Sequence, residues 1–343
     1  MIAGGDRMST ILQNLVFVLN EGSSYALIAL GYTMVYGVLR LINFAHGDVY
    51  MIGAYVGAYT ARYMTPPTAQ NPSPQQTAFH AVIGIVVAMA VCGAVGWTIE
   101  RLAYRPLRKS PKLSALITAI GVSLLIEYLA QMKWVVEGTA FFGPDPMTYQ
   151  AIEGSDQLWQ IPFWPFTLHP GNFLQAHLGV TVINKDAIVI CTTIIVLAGL
   201  YWLVKHTRTG KAMRAVSQNY DAARLMGINI DRTISITFVL GSMLAAVGGC
   251  LYGLNHNQCQ PLMGLLPGLK AFVAAVIGGI GNIPGAAVGG LVLGLIETYA
   301  CTIQYHHEAI LSPYKDGIAF LILIVMLLVR PEGLFGKAVP EKV

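Results

Sequence analysis

The stretch LKAFVAAVIGGIGNIPGAAVGGLVLGLIETYA, residues Leu269–Ala300, decides the fold class. It is apolar along its length and longer than the roughly 20 residues that one helix needs to cross a bilayer. Glycines, Asn282 and Pro284 interrupt it in the middle. We therefore expect two shorter helices that meet at a kink, a pattern typical of a polytopic α-helical membrane protein.

The rest of the chain has the same apolar character. Only 11% of its 343 residues are charged, against about 25% in soluble domains. Hydrophobic residues make up 55%, and the mean hydropathy is +0.59. These values exclude a water-soluble protein and a disordered or fibrous chain. The other apolar runs are Ile11–Gly31, Ala45–Met64, Phe79–Ile99, Leu113–Gln131, Ala187–Val204, Thr233–Leu254 and Gly317–Val329. We predict an all-α transmembrane bundle of about eight or nine spans with interrupted helices, forming one domain over residues 1–343.

The positions of Lys and Arg predict the orientation, because cytoplasmic loops are enriched in both. Residues 101–112 carry five, the loop 205–232 carries six, and the C-terminal tail carries three. The segment 132–186 carries only two, so we expect it to be external, with aromatic residues that suit either headgroup depth or a docking surface. The C-terminus is then cytoplasmic, the N-terminus external, and the run Leu269–Ala300 enters and leaves on the outer side.

The segment INFAHGDVYMIGAYVG, Ile42–Gly57, places polar groups inside an apolar run. A charge in the hydrocarbon costs at least about 2.5–3.5 kcal/mol, so Asn43, His46 and Asp48 should face a cavity, a partner or the interface. Gly47 allows another helix to approach closely. The segment is either an interrupted helix that lines a translocation path or a turn between two spans. A metal site is disfavoured because His46 and Asp48 point to different sides of a helix.

A second polar interruption lies in Val276–Gly294. Asn282 and Pro284 open the hydrogen-bond ladder, which membrane proteins tolerate where the freed groups face protein or water. We interpret Asn282 and Gly285 as path-lining residues; tight helix packing alone is the alternative. Three single acids in apolar runs are either pathway groups or interhelical hydrogen-bond partners: Glu21, Glu127 and Glu297.

The segment Thr207–Asp231 is too charged to span a membrane. Asn219 suits a helix N-cap, Asp221 suits the positive end of the helix dipole, and Gly227 suits a C-terminal stop. Ala222, Leu225 and Met226 give this short helix an apolar stripe. It is either a knob that docks on a cytoplasmic subunit or an interfacial helix that lies on the lipid.

Motifs for catalysis and nucleotide binding are missing from the sequence. A P-loop needs a hydroxyl residue after Gly-Lys, but Ala212 and Ala338 follow the two Gly-Lys pairs. There is no GxSxG or HExxH. The five cysteines have no metal-ligand spacing, and pairing of Cys259 with Cys301 stays open. We therefore expect no enzyme activity and no metal or cofactor bound by this chain.

Five motifs resemble the H-type permease of branched-chain amino acid ABC importers: Ser23–Gly37, Leu41–Val56, Glu100–Arg108, Ala215–Arg232 and Gly268–Gly294. The resemblance extends from about Asn14 to Val343. It implies the large permease fold of the ribose and branched-chain importers, in the bacterial inner membrane. It also implies a homologous M-type permease, two cytoplasmic ATPase subunits that bind ATP and Mg, and a periplasmic or lipid-anchored binding protein that delivers leucine, isoleucine or valine.

The resemblance also assigns roles to residues. It identifies a coupling helix that seats in the ATPase, formed here by Ser217, Asp221, Ala222, Ala223, Leu225 and Gly227. We expect alternating access, in which ATPase closure acts through Ser217–Gly227 on the helices around Asn43–Asp48 and Asn282–Gly285. Two alternatives stay open: a urea or short-chain amide importer permease, and a stand-alone secondary transporter or channel.

Overall fold

The computed structural model describes residues 3–41, 43–64, 74–132, 134–136, 139–142, 147–148, 161–163, 166–168, 170–302 and 312–336. Its helices are α1 (Ala3–Leu39), α2 (His46–Met64), α3 (Pro74–Ile99), α4 (Lys112–Gln131), α5 (Pro170–Leu178), α6 (Asn184–His206), α7 (Arg208–Gln218), α8 (Tyr220–Leu225), α9 (Ile230–His256), α10 (Leu265–Gly278), α11 (Ile283–Thr302) and α12 (Lys315–Val329). A π-helical turn, Glu100–Tyr104, and 3₁₀ turns, Pro106–Lys109 and Ser312–Tyr314, complete the helical segments of these residues.

The predicted helical bundle is confirmed. Within the described residues, seven helical segments are long and apolar enough to cross a membrane: Met8–Leu39, Phe79–Tyr104, Leu113–Gln131, Asn184–His206, Ile230–His256, Ile283–Thr302 and Ser312–Val329. The 19-residue α2 and the 14-residue α10 pack among them. The predicted division of Leu269–Ala300 into two helices is also confirmed, although α11 is itself long enough to span.

The break between α10 and α11 follows from its local sequence. Gly279 and Gly281 have φ values of 98° and 93°, a conformation that residues with a Cβ rarely adopt. Asn282 then caps α11, its side-chain oxygen accepting from the Gly285 amide at 3.3 Å. Pro284 occupies the first turn of α11, where a backbone N–H would have no acceptor within the helix, so proline costs no hydrogen bond there.

Small residues hold the bundle together. Gly290 of α11 lies against the backbone of Ala26, and Gly294 lies against Gly22, so α1 and α11 touch backbone to backbone. Gly53 of α2 lies similarly against Ala246 of α9. Lipid supplies no hydrophobic force between helices, so close van der Waals packing of this kind stabilises the bundle.

The chain turns back into the bundle after α1. Arg40 has a left-handed φ of 54°, and α2 begins at His46, whose ring lies beside Gly31 of α1. The start of α10 reaches the same place, because Gly47 contacts Gly264 and Gly268. Two helices therefore begin side by side within the bundle rather than at its surface.

The segments that the charge pattern predicts to be cytoplasmic meet at one end. Arg40, Lys205 and Arg214 line the same cavity as Asn282, and Arg105 forms an ion pair with Asp231. The opposite end carries short antiparallel strand pairs, β1 (Trp134–Val136) with β2 (Thr139–Phe142) and β4 (Ile161–Phe163) with β5 (Phe166–Leu168).

One strand pair joins the segment 132–186 to the residues that follow α9. β3 (Met147–Thr148) pairs with β6 (Gln258–Cys259). These two strands therefore lie beside the C-terminal end of α9. In the part of the chain that the structure describes, Cys259 and Cys301 are not joined by a disulfide bond.

Candidate translocation path and coupling surface

The polar residues at the start of α2 are buried and held by three other helical segments. Asn43 accepts a hydrogen bond from the Tyr104 hydroxyl at 2.9 Å. The His46 ring packs edge-on against Tyr32 of α1, with 4.6 Å between ring centroids. Asp48 accepts from the Ser123 hydroxyl of α4 at 2.5 Å. α1 ends at Leu39 and α2 is unbroken from His46 onward, so these polar groups lie at a buried helix start, and their role in lining a path stays a prediction.

Gly47 explains how α2 and α10 come together. A Cβ on Gly47 would lie 3.2 Å from the Gly264 carbonyl carbon and 3.4 Å from the Gly268 Cα. The two helix starts therefore touch at their backbones. Glu127, one turn beyond Ser123 on α4, also interacts with Asp48, so this single acid is a partner of the α2 start.

Asn282 and Gly285 lie away from the start of α2. The Asn282 amide donates to the Phe335 carbonyl at 2.9 Å, and Gly285 lies against the backbone of Gly278. The turn before α11 packs on Gly37 of α1, six residues from Gly31, which is about 9 Å along the helix. The structure therefore places the two predicted path segments at different depths, with Asn282 at the basic end.

A buried ion cluster is the feature that the sequence reasoning missed. The Lys270 Nζ of α10 lies 2.9 Å from Glu297 Oε1 and 2.6 Å from Asp316 Oδ1. Tyr25 of α1 donates to Glu297 at 2.7 Å. The available signal was a lone lysine in one apolar run and a lone glutamate in another, since such charges pair inside membranes.

The ion cluster forms part of the wall of a cavity of about 520 Å³. The cavity lies among the N-terminal half of α1, the C-terminal ends of α9 and α11, and the starts of α10 and α12. Glu21 and His256 line it as well. Its volume falls in the range of about 300–1,000 Å³ that is usual for small-molecule sites.

The predicted capped helix in the basic loop is confirmed as α8. The Asn219 side chain accepts from the Ala222 amide at 3.0 Å. Gly227 ends the helix with a φ of 79°, and the Ile228 amide donates to the Ala223 carbonyl at 3.0 Å, as in a Schellman cap. α8 is therefore a fixed knob rather than a flexible loop.

The predicted coupling residues differ in where they point. Leu225 and Met226 are 89% and 82% exposed, and Asp221 and Ala222 are exposed beside them. Ala223 is buried against its own chain. Ser217, half-buried at the end of α7, donates to the Arg214 carbonyl at 2.8 Å. The outward surface of the knob is thus apolar at its tip and acidic beside it.

Two further contacts anchor the knob. The Tyr220 hydroxyl donates to the Val38 carbonyl at the end of α1, at 2.7 Å. Burial raises the pKa of Tyr220 and keeps it protonated as that donor. Asn229 caps α9 immediately after the knob, accepting from the Arg232 amide at 2.9 Å. α8 is therefore tied to the end of α1 and lies next to the capped start of α9.

Comparison with known proteins identifies the class of the chain. Residues 14–327 match the family described as "branched-chain amino acid transport system / permease component". The chain belongs to this family. Proteins named LivH, high-affinity branched-chain amino acid transport system permease protein, from Salmonella typhimurium and Escherichia coli are each 38% identical over 97% of this chain and 97% of their own lengths. The Pseudomonas aeruginosa BraD permease protein is 38% identical over 97% of this chain and 98% of its own length.

A solved structure described as an inward-facing metal-chelate type ABC transporter covers 93% of this chain, with a TM-score of 0.44 and 13% identity. Membership in the permease family together with the seven apolar helices makes the chain a multi-pass membrane protein. The family consists of transport components.

In this permease-family chain, an ionic network ties the loop after α3 to the start of α9. Arg105 bonds Asp231 at 2.8 Å, and Arg108 contacts both Asp231 and Glu100. Glu100 also accepts from the Ser235 hydroxyl at 2.6 Å. The sequence analysis used these arginines only as orientation signals; the structure shows that they also bridge two helices next to the knob.

Proposed function

We propose that the chain is the permease subunit of an ABC importer that moves leucine, isoleucine and valine across the bacterial inner membrane. The names of the relatives, each about as long as this chain, support the substrate class. The observation that carries the proposal is the capped knob α8, which exposes Leu225 and Met226 at the basic end. A stand-alone transporter has no use for such a knob.

The proposed importer contains further subunits. Two cytoplasmic ATPases bind ATP and Mg, because this chain has no P-loop. A homologous M-type permease completes the membrane unit, and a periplasmic or lipid-anchored binding protein delivers the amino acid. The basic end, with α8 and the C-terminus, faces the cytoplasm, and the N-terminus is external.

The proposed mechanism is alternating access driven through α8. ATPase closure displaces the knob, and the Tyr220–Val38 contact and the capped start of α9 transmit the movement to α1 and α9. Both helices pack against α2. The path runs past the buried start of α2, formed by Asn43, His46, Gly47 and Asp48. Asn282 and Gly285 belong to its cytoplasmic end.

The coupling assignment is tested by Leu225→Glu in the complete importer. A carboxylate on the exposed tip disfavours burial in an apolar groove, so we expect the ATPase to be lost on purification and leucine uptake to fall at least about tenfold. Ser110→Glu is the matched control, because it places the same charge at an exposed position of the basic loop after α3, outside Ser217–Gly227. Equal uptake by both variants, at equal amounts in the membrane, would contradict the coupling role.

A further inference from the structure

The Lys270 cluster brings two carboxylates, those of Glu297 and Asp316, to one ammonium, and His256 and Lys315 line the same cavity. Lys270 and Glu297 have side chains 7% exposed, and Asp316 is 37% exposed. Glu21 lines the same cavity. A buried ion pair is weak support for a fold, since apolar residues of similar volume usually stabilise it as well or better. Charged groups at membrane depth more often mark a substrate pathway.

The two carboxylates on Lys270 are held differently. Glu297 is fixed by the Tyr25 hydroxyl at 2.7 Å, and Lys270 itself lies 5.7 Å from the Tyr25 ring centre. Asp316 sits in the first turn of α12 at the more exposed side of the cluster. An incoming carboxylate can therefore replace Asp316 on the Lys270 ammonium while Glu297 keeps its place.

The remaining cavity wall offers apolar surface. Phe17, Leu262 and Leu266 line the cavity, and all three side chains are exposed. One cavity thus presents an ammonium, carboxylates and aliphatic surface together. That combination matches a zwitterionic amino acid with an apolar side chain, whereas a neutral amide such as urea would leave the charges uncompensated.

The cavity also reaches the start of α2. Leu266 and Pro267, in the first turn of α10, line it, and the flanking Gly264 and Gly268 contact Gly47. Thr302 and Lys315 line its other wall, near His256 at the C-terminal end of α9. An amino acid that entered there would rest directly above the start of α2.

We propose that Lys270, Glu297, Glu21 and Asp316 form a binding site for a free amino-acid zwitterion at the outer end of the translocation path. Lys270 binds the substrate carboxylate in place of Asp316, and the Glu21 and Glu297 carboxylates receive the ammonium. Displacement of Asp316 breaks the ion pair that joins α12 to α10. The proposal rests on the proposed amino-acid cargo and adds a site within the membrane chain itself.

Leucine uptake by the complete importer tests the site with Lys270→Gln. We expect the leucine concentration for half-maximal uptake to rise about tenfold to a hundredfold, the effect of losing one charged hydrogen bond. Arg62→Gln is the control, because it removes one positive charge from an exposed position on α2 outside the cavity. Absence of leucine uptake by the unmodified importer would contradict the proposed cargo rather than the site.

A double variant separates binding from a structural role. Lys270→Met combined with Glu297→Gln removes the buried pair together and leaves Asp316, the more exposed carboxylate, to solvent, so the protein should insert and melt close to the unmodified chain. If the pair is purely structural, the double variant should regain both stability and leucine uptake. If the pair binds substrate, leucine uptake should stay lost although the protein is stable. Normal uptake by the double variant, or an unchanged half-maximal concentration in Lys270→Gln, overturns the proposal.

Cys301 supplies a direct readout of binding. It is half-buried and lines the cavity. We expect leucine to slow maleimide labelling of Cys301, followed by peptide mass spectrometry, in the unmodified importer and not in the double variant. Leucinamide, which lacks the carboxylate, should not protect. Equal protection by leucine and leucinamide would contradict carboxylate recognition by Lys270.

Discussion

The His46 ring occupies the space beside Gly31 that a Cβ would otherwise fill. His46 begins α2 and Gly31 lies two turns before the end of α1, so this contact fixes how deeply the chain turns back into the bundle. The ring has little freedom to move away, because Tyr32 packs against it with 4.6 Å between centroids.

Gly31→Ala should therefore destabilise the protein. Its new methyl would overlap the His46 ring and approach the Gly241 carbonyl oxygen at 3.1 Å, and overpacking of this kind costs about 1–3 kcal/mol. Thermal melting of the purified importer measures the change. Gly121→Ala is the matched control, because nothing lies within 4 Å of its added Cβ. Equal melting temperatures for the two variants would show that the start of α2 is not packed against Gly31 as described.

Gly227→Ala should weaken the knob without any steric clash. Nothing lies within 4 Å of the added Cβ, but the φ of 79° stays in the left-handed region, which costs a residue with a Cβ about 1–2 kcal/mol. We expect reduced ATPase association at normal amounts in the membrane. Gly317→Ala, also with open space around it, should associate normally. Normal association of Gly227→Ala would mean that the C-terminal stop does not matter for coupling.

The two acids of the ionic network should differ in their effect on stability. Glu100 is 1% exposed and bonds both Arg108 and Ser235, so Glu100→Gln removes the buried one of the two carboxylates on the Arg108 guanidinium, at a cost of about 1–3 kcal/mol. Asp231 is 52% exposed, and Asp231→Asn should cost below about 1 kcal/mol because solvent screens that pair. Melting curves of the two variants compare them, and the reverse order would contradict the network.

Substitutions at Asn282 separate its two hydrogen bonds. Asn282→Asp keeps an oxygen for the Gly285 amide but loses the donor to the Phe335 carbonyl. Asn282→Ala loses both bonds, and a lost N-cap costs about 0.5–2 kcal/mol. We expect endoproteinase Glu-C to cleave after Glu332 faster in both variants than in the unmodified chain, and only Asn282→Ala to lower the melting temperature clearly. Identical melting of the two variants would show that the cap contributes nothing.

Much of the fold could be predicted from the sequence because its signals are local. The glycines around Asn282 predict the break between α10 and α11, and Asn219 with Gly227 predicts both ends of α8. Each depends on φ angles or caps formed within a few residues.

The site could be predicted only in part, because its contacts join residues far apart in the chain. Lys270 meets Glu297 and Asp316 only after α10, α11 and α12 have packed, and the sequence analysis passed over the lysine. Asn282 and the start of α2 were both predicted to line the path, and the structure places them at different depths, with Asn282 at the basic end. The depth at which a helix lies in the membrane depends on packing such as that of Gly47 against Gly264. The hydrophobicity of a segment alone does not predict that packing.

Uptake of labelled leucine into cells that lack only this chain tests the central claim most directly. The measurement is made with and without the restored chain, and the restored cells are also given excess unlabelled valine or urea. A branched-chain amino acid permease predicts uptake that returns with the chain and that valine, not urea, suppresses. No leucine uptake in restored cells, despite confirmed insertion in the membrane, would contradict the account.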